Sequence, residues 1–151
     1  MDETTHAFSD KVLDRAFTLE FWDVDIDAYA DRFRKRDPGY PAELLTSVIA
    51  TLKEAGSVLA GVRLHFGYRT IGEVLGFMKA CDGRADTAQA MDQAIFMKVL
   101  PKLRGQDTDG LREALASMVS WAKGKNFVRS AAKLESMAEE LQTTGTMRFW
   151  R

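Results

Sequence analysis

The side chains here best suited to act on a charged ligand are arginines set at helix edges. Asp14-Arg15 closes an amphipathic stretch in which Phe8, Val12 and Leu13 share one side. Phe17, Leu19 and Phe21 follow at the alternating period of a strand. An arginine in that position has two uses. It pairs locally, with Asp14 or with the acidic patch of Asp23, Asp25 and Asp27, or it carries a permanently charged planar fork to a phosphate. Arg69 stands beside a predicted helix start, where the positive end of the helix dipole makes a cation mildly unfavourable. A nearby anion relieves that cost, and helix N-termini are natural phosphate sites. Arg129 precedes another predicted helix. RFRKR at 32–36 is a denser set of cations, read as a solvated helix end in preference to a phosphate-contacting surface.

Other chemistry is missing from the sequence. There is no G-x-x-x-x-G-K-[ST]; the nearest string, Lys123-Gly-Lys-Asn126, lacks both the loop and the hydroxyl. There is no G-x-G-x-x-G, no H-E-x-x-H and no cysteine pair for zinc, so no metal ligands are assigned. His6 and His65 lie far apart. No complete active site is recognisable in the chain.

The composition narrows the class further. The 151 residues suffice for one domain, or a small domain with a tail. Apolar residues at 46% and charged residues at 28% are ordinary for a folded protein. A net charge of −1 provides no global field for nucleic acid or anionic lipid, so any charge-based function has to be local. The single cysteine, Cys81, excludes an internal disulfide and fits a reducing cytosol. No apolar run approaches the roughly 18 residues of a membrane span, and the acidic start is not a signal peptide. These features point to a cytoplasmic protein with no membrane partner.

Helices must position the charged groups. RFRKR closes a helix that stops at Asp37-Pro38-Gly39, with cations near its negative dipole end. Pro41 suits the first turn of the next helix. There Leu44, Leu45, Val48, Ile49 and Leu52 recur at helical spacing, running to about Leu59. Val62–Phe66 alternates and reads as extended. Thr70-Ile-Gly-Glu73 has the T-x-x-E pattern of a capping box, ahead of Ile71, Val74, Leu75 and Met78 on one face. Asp86 opens another helix, carrying Met91, Ile95, Val99, Leu100 and Leu103, which Pro101 bends or ends. Leu111, Leu115, Met118, Val119 and Ala122 mark a helix ending at Gly124, and Leu134, Met137, Ala138 and Leu141 mark the last. Phe149 and Trp150 are expected to dock. Trp121 and Trp150 read as packing residues, as do the methionines at 78, 91, 118 and 137, and His65 is expected beside a strand. The expected fold class is all-α: a helical bundle with one or two short strand segments, at the N-terminal end and near residues 62–66.

Several of these strings, in this order and spacing, resemble the C-terminal part of McrB-like AAA+ ATPases, the motor subunits of modification-dependent restriction systems. DETTHAFSDKVLDRAFTLEF at 2–21 is similar to the segment after sensor 1, with Ser9–Leu13 as a short helix and Phe17–Phe21 as the last core strand. Arg63-Leu-His-Phe-Gly-Tyr-Arg69 resembles the F-G-Y-R lead-in to the third lid helix. Met91-Asp-Gln and Lys98-Val-Leu-Pro-Lys-Leu-Arg-Gly105 resemble a recurring lid run, and Val128-Arg-Ser-Ala-Ala-Lys-Leu134 through Phe149-Trp150 the closing segment. Residues 37–61, 79–90 and 106–126 add only helical pattern.

The resemblance implies that residues 1–25 are a remnant of the AAA+ core and that residues 26–151 are the helical lid with a C-terminal extension. It makes Arg15 a trans-acting arginine finger, Arg69 the sensor 2 candidate for nucleotide binding, and Arg129 the rival. It also implies ATP or GTP with Mg2+ in a full-length parent, and no cofactor for this chain alone. The implied partners are the missing N-terminal AAA+ core, identical subunits in a ring oligomer, and an endonuclease subunit, with DNA engaged only through the parent complex. The phosphate loop, the magnesium-binding acid motif and sensor 1 lie upstream in that family and are absent here. That departure implies a C-terminal fragment or a truncated copy of a nucleoside triphosphatase. The other reading is a freestanding helical interaction module that performs no enzymatic work.

Overall fold

The computed structural model describes residues 23–150. Arg15, the Ser9–Leu13 helix and the Phe17–Phe21 strand lie outside the described residues. Six α-helices dominate, so the fold is all-α: α1 Ile26–Arg36, α2 Ala42–Ala60, α3 Tyr68–Cys81, α4 Thr87–Lys98, α5 Asp109–Gly124 and α6 Val128–Thr144. A 3-10 turn at Leu100–Lys102 and two strands, β1 Arg104–Gln106 and β2 Thr146–Arg148, complete the described elements.

Apolar residues at helical spacing determine which faces are buried. Leu44, Leu45, Val48, Ile49, Leu52, Ala55 and Leu59 form the inner face of α2, against which α1, α3 and α5 pack. Ile71, Val74, Leu75 and Met78 do the same for α3, and α4 lies between α3 and α6. One continuous core results, running from Ala30 and Phe33 on α1 to Met147 and Phe149 at the end of the chain. The four methionines are in it, at 78, 91, 118 and 137.

Local chemistry sets the helix ends. Asp25 caps α1 by accepting from the Ala28 N–H at 2.8 Å, and Arg34, Lys35 and Arg36 fill its last turn. Asp86 caps α4 through the Gln89 N–H at 2.9 Å, and Thr108 caps α5 through the Leu111 N–H at 3.2 Å. Pro41 sits one residue before α2 as its N-cap, and Pro101 lies in the 3-10 turn that ends α4. Gly145 closes α6 at φ 73°, a left-handed conformation that costs glycine nothing, and turns the chain into β2.

Three expectations are corrected. Residues 62–66 contain no strand: Val62 and Leu64 both bond to the Leu59 carbonyl, and Arg63 takes φ 57° in the turn between them. The strands among the described residues are instead β1 and β2, antiparallel with Gly105 opposite Met147, so the 62–66 strand expected beside His65 is not formed. Thr70 is not a cap. The helix starts earlier, with Gly67 as its N-cap and Thr70 buried within the first turn. Phe149 docks, with its ring edge-on to Phe96 at 5.1 Å, but Trp150 stays 70% exposed.

Candidate functional site

Arg69 and Arg129 both occupy the second position of a helix, in α3 and α6 respectively. At that position backbone N–H groups have no intrahelical acceptor. The two surroundings differ sharply.

The start of α6 is sealed from within. Asp92 of α4 is buried and its carboxylate meets the first turn of α6: Oδ2 accepts from the Arg129 N–H at 2.8 Å and Oδ1 from the Ser130 N–H at 2.9 Å. The Ser130 hydroxyl donates back to the Asp92 carbonyl at 3.2 Å. The Arg129 guanidinium donates to Gln93 Oε1 at 2.6 Å and lies 4.8 Å from the centre of the Phe96 ring. Asp92, Gln93 and Phe96 of α4 therefore hold the first turn of α6, and the anion favoured at this helix end is already supplied by the protein. Sequence reasoning passed over Asp92, and the available signal was an acid inside the otherwise apolar inner face of α4.

The start of α3 is open. Its N-cap, Gly67, has no side chain to offer, no side chain among the described residues is seen to accept from its first N–H groups, and the Arg69 side chain is 91% exposed. Its Nε contacts Glu73 Oε1 at 3.3 Å, while Glu73 Oε2 is held by Lys98 of α4 at 3.0 Å. The Lys98 hydrogen bond, with that ammonium's charge and the Arg69 guanidinium behind it, holds the Glu73 carboxyl below its ordinary range.

The Arg63–Arg69 string serves three surroundings. Arg63, His65 and Phe66 line a cleft of about 690 Å³ that also takes in Asp23, Asp27 and Lys53, the last two joined at 2.6 Å. Tyr68 belongs to a second groove of about 380 Å³ against α1, and Arg69 borders neither. Arg69 and Arg129 are not brought together in one site. Across the molecule, Glu54 of α2 accepts from Lys125 and from Trp121 Nε1, at 2.9 and 2.8 Å, so Trp121 packs as expected.

Among the described residues, no group of three or more His, Cys, Asp or Glu side chains is placed to hold a metal, and no helix is long and apolar enough to cross a membrane. A family model described as a domain of unknown function, DUF8727, matches residues 20–146. The chain belongs to that family. Comparison with curated proteins and with solved structures gives no match. The DUF8727 match spans all six helices of the described residues, with both clefts and both arginine-bearing helix starts inside it.

Proposed function

We propose that this chain is the arginine-finger segment and helical lid of an McrB-like AAA+ NTPase, cytoplasmic and acting in DNA restriction or defence. It is not catalytic alone. One observation carries the reading: the F-G-Y-R string forms the start of α3, with a glycine as N-cap, and presents Arg69 almost fully to solvent. A sensor 2 arginine has to cross from lid to core to reach phosphate, so it needs that freedom. Its contact to Glu73 is exposed and screened by solvent, so it is little to give up for a phosphate. Arg129, tied to Gln93 and Phe96, has no such freedom. Arg15 remains the finger on the strength of sequence alone. ATP or GTP with Mg2+ would be held mainly by the core, and neighbouring subunits and an endonuclease would complete the assembly.

The test starts from the complete reading frame containing residues 1–151. An in-phase upstream G-x-x-x-x-G-K-[ST] and nucleotide hydrolysis by the full product are expected. Arg15→Ala in that product lowers kcat by roughly three orders of magnitude while leaving nucleotide affinity within a few-fold, as trans-acting fingers do. A stop codon directly before Met1, with hydrolysis absent, would favour the freestanding interaction module. Residues 1–151 alone are expected to show no metal-dependent turnover.

A further inference from the structure

We infer that the groove between α1 and the start of α3 binds single-stranded nucleic acid, with a base stacked on Tyr68 and the neighbouring phosphates on Arg32 and Arg36. This goes beyond the NTPase reading and needs neither a phosphate loop nor a finger.

The platform is built and fixed. Tyr68 stacks on Tyr29 with ring centres 5.6 Å apart and planes 10° from parallel, yet it remains 45% exposed. Its hydroxyl accepts the Asp25 N–H at 3.1 Å, which sets the ring's direction. Tyr29 in turn lies against bare backbone: a Cβ on Gly72 would come within 2.7 Å of its hydroxyl oxygen. Phe33 continues the aromatic floor, 6.3 Å from Tyr29. An exposed aromatic that is locked in place suits a π-face, because stacking then costs little ordering.

The cations sit along one side of that floor. Arg32 and Arg36 are four residues apart, so they share a helix face about 6 Å apart along the axis, comparable to consecutive phosphates on a strand. The Arg36 guanidinium lies 5.3 Å from the centre of the Phe33 ring. Among the described residues, no carboxylate pairs with Arg32, Lys35 or Arg36, although Asp31 takes Arg34 at 3.2 Å and Asp27 takes Lys53. Helix-end electrostatics account for Lys35 and Arg36. They do not account for Arg32, which lies before the last turn of α1. Among the described residues that line the groove the one acid, Asp25, is at the opposite end of α1 with Oδ1 engaged in capping. A net charge of −1 thus conceals a local strip of unmatched positive charge beside stacked aromatics. That pairing complements a single strand, whereas a duplex hides its base faces.

The experiment is fluorescence anisotropy of end-labelled oligothymidine and oligoadenosine 12-mers with the full chain at low and moderate salt. Both strands bind, and an equal-length duplex binds more weakly. Tyr68→Ala weakens binding at least fivefold, the lower end of one stacked base by alanine substitution. Tyr68→Phe, which keeps the ring, stays within about twofold of the parent affinity, and Gly72→Ala, which displaces Tyr29, does not. Arg32→Ala with Arg36→Ala flattens the log K against log salt slope by about 1.4, two phosphates at ~0.7 each. Arg34→Ala serves as the control and has little effect, and far-UV circular dichroism verifies folding of every variant. No binding at low salt would overturn the assignment, as would binding indifferent to Tyr68. Equal competition by a polyglutamate peptide would replace it with an acidic protein partner, and equal competition by a mononucleotide would reduce it to a site for one nucleotide.

Discussion

The starts of α3 and α6 have the same local plan: no side-chain cap from the preceding residue and an arginine second in the helix. Only the context separates them. At α6 a buried carboxylate from another helix satisfies two N–H groups, and the arginine folds back onto a glutamine and a phenylalanine. At α3 the arginine reaches into water. A helix N-terminus attracts anions in either case, and what differs is whether the fold has already provided one. Candidate ligand arginines are therefore better sorted by what occupies the adjacent helix end than by sequence position.

The comparison breaks most severely at Asp92. Asp92→Ala should cost about 2–4 kcal/mol, because two charge-assisted bonds vanish from a buried helix start and leave N–H groups without an acceptor. Urea unfolding measures this, with a drop in Tm of about 2–4 °C per kcal/mol for a chain of this size. Asp92→Asn keeps one acceptor and should fall between the two. If Asp92→Ala is neutral, α6 is not held from α4.

A smaller effect is expected where a polar contact closes the far end of α1. The buried Tyr40 hydroxyl donates to the Leu75 carbonyl at 3.0 Å, and burial, with Asp82 and Asp37 nearby, pushes its pKa up to about 12. The raised value means that ionisation opposes folding. This contribution is complete below the ordinary tyrosine value of about 10 and is lost as pH rises from there through about 12. Tyr40→Phe should cost about 0.5–1.5 kcal/mol at neutral pH and flatten stability between pH 10 and 12. An unchanged alkaline profile in that variant would contradict the assignment.

Arg129→Ala loses an aromatic contact and one hydrogen bond, about 1 kcal/mol by denaturant unfolding. Arg69→Ala should shift stability by no more than ~0.5 kcal/mol. Weakest is the Glu73 link to Lys98. Its lowered pKa means that the contribution is present above the ordinary carboxylate range and is lost as pH falls through the folded value. An amide–proton titration of α3 should show that loss in wild type and not in Glu73→Gln.

How much of this was legible in the sequence follows from the range of each interaction. Leu44, Leu45, Val48, Ile49 and Leu52 announced α2 because helical periodicity is local, and Asp86 announced α4 because a cap acts over three residues. The alternation of Val62, Leu64 and Phe66 misled because a left-handed turn also separates apolar residues by two. The T-x-x-E pattern misled because Gly67 starts α3 three residues before Thr70. β1 and β2 are three residues each and meet across two intervening helices, so neither carries a periodic signal. Arg69 and Arg129 were visible as candidates. The carboxylate that distinguishes them is 37 positions from Arg129 in the chain, and the Tyr29–Tyr68 platform joins residues equally remote. Such long-range pairings exist only once the helices have packed.

The most direct test of the account measures nucleotide hydrolysis by the complete polypeptide containing this chain, with Arg69→Ala and Arg129→Ala compared per folded molecule. Arg69→Ala is expected to lower kcat/KM by at least tenfold, about 1.4 kcal/mol of transition-state stabilisation, while Arg129→Ala stays within about twofold of wild type. Unchanged hydrolysis in Arg69→Ala, or equal losses in both variants, would contradict it.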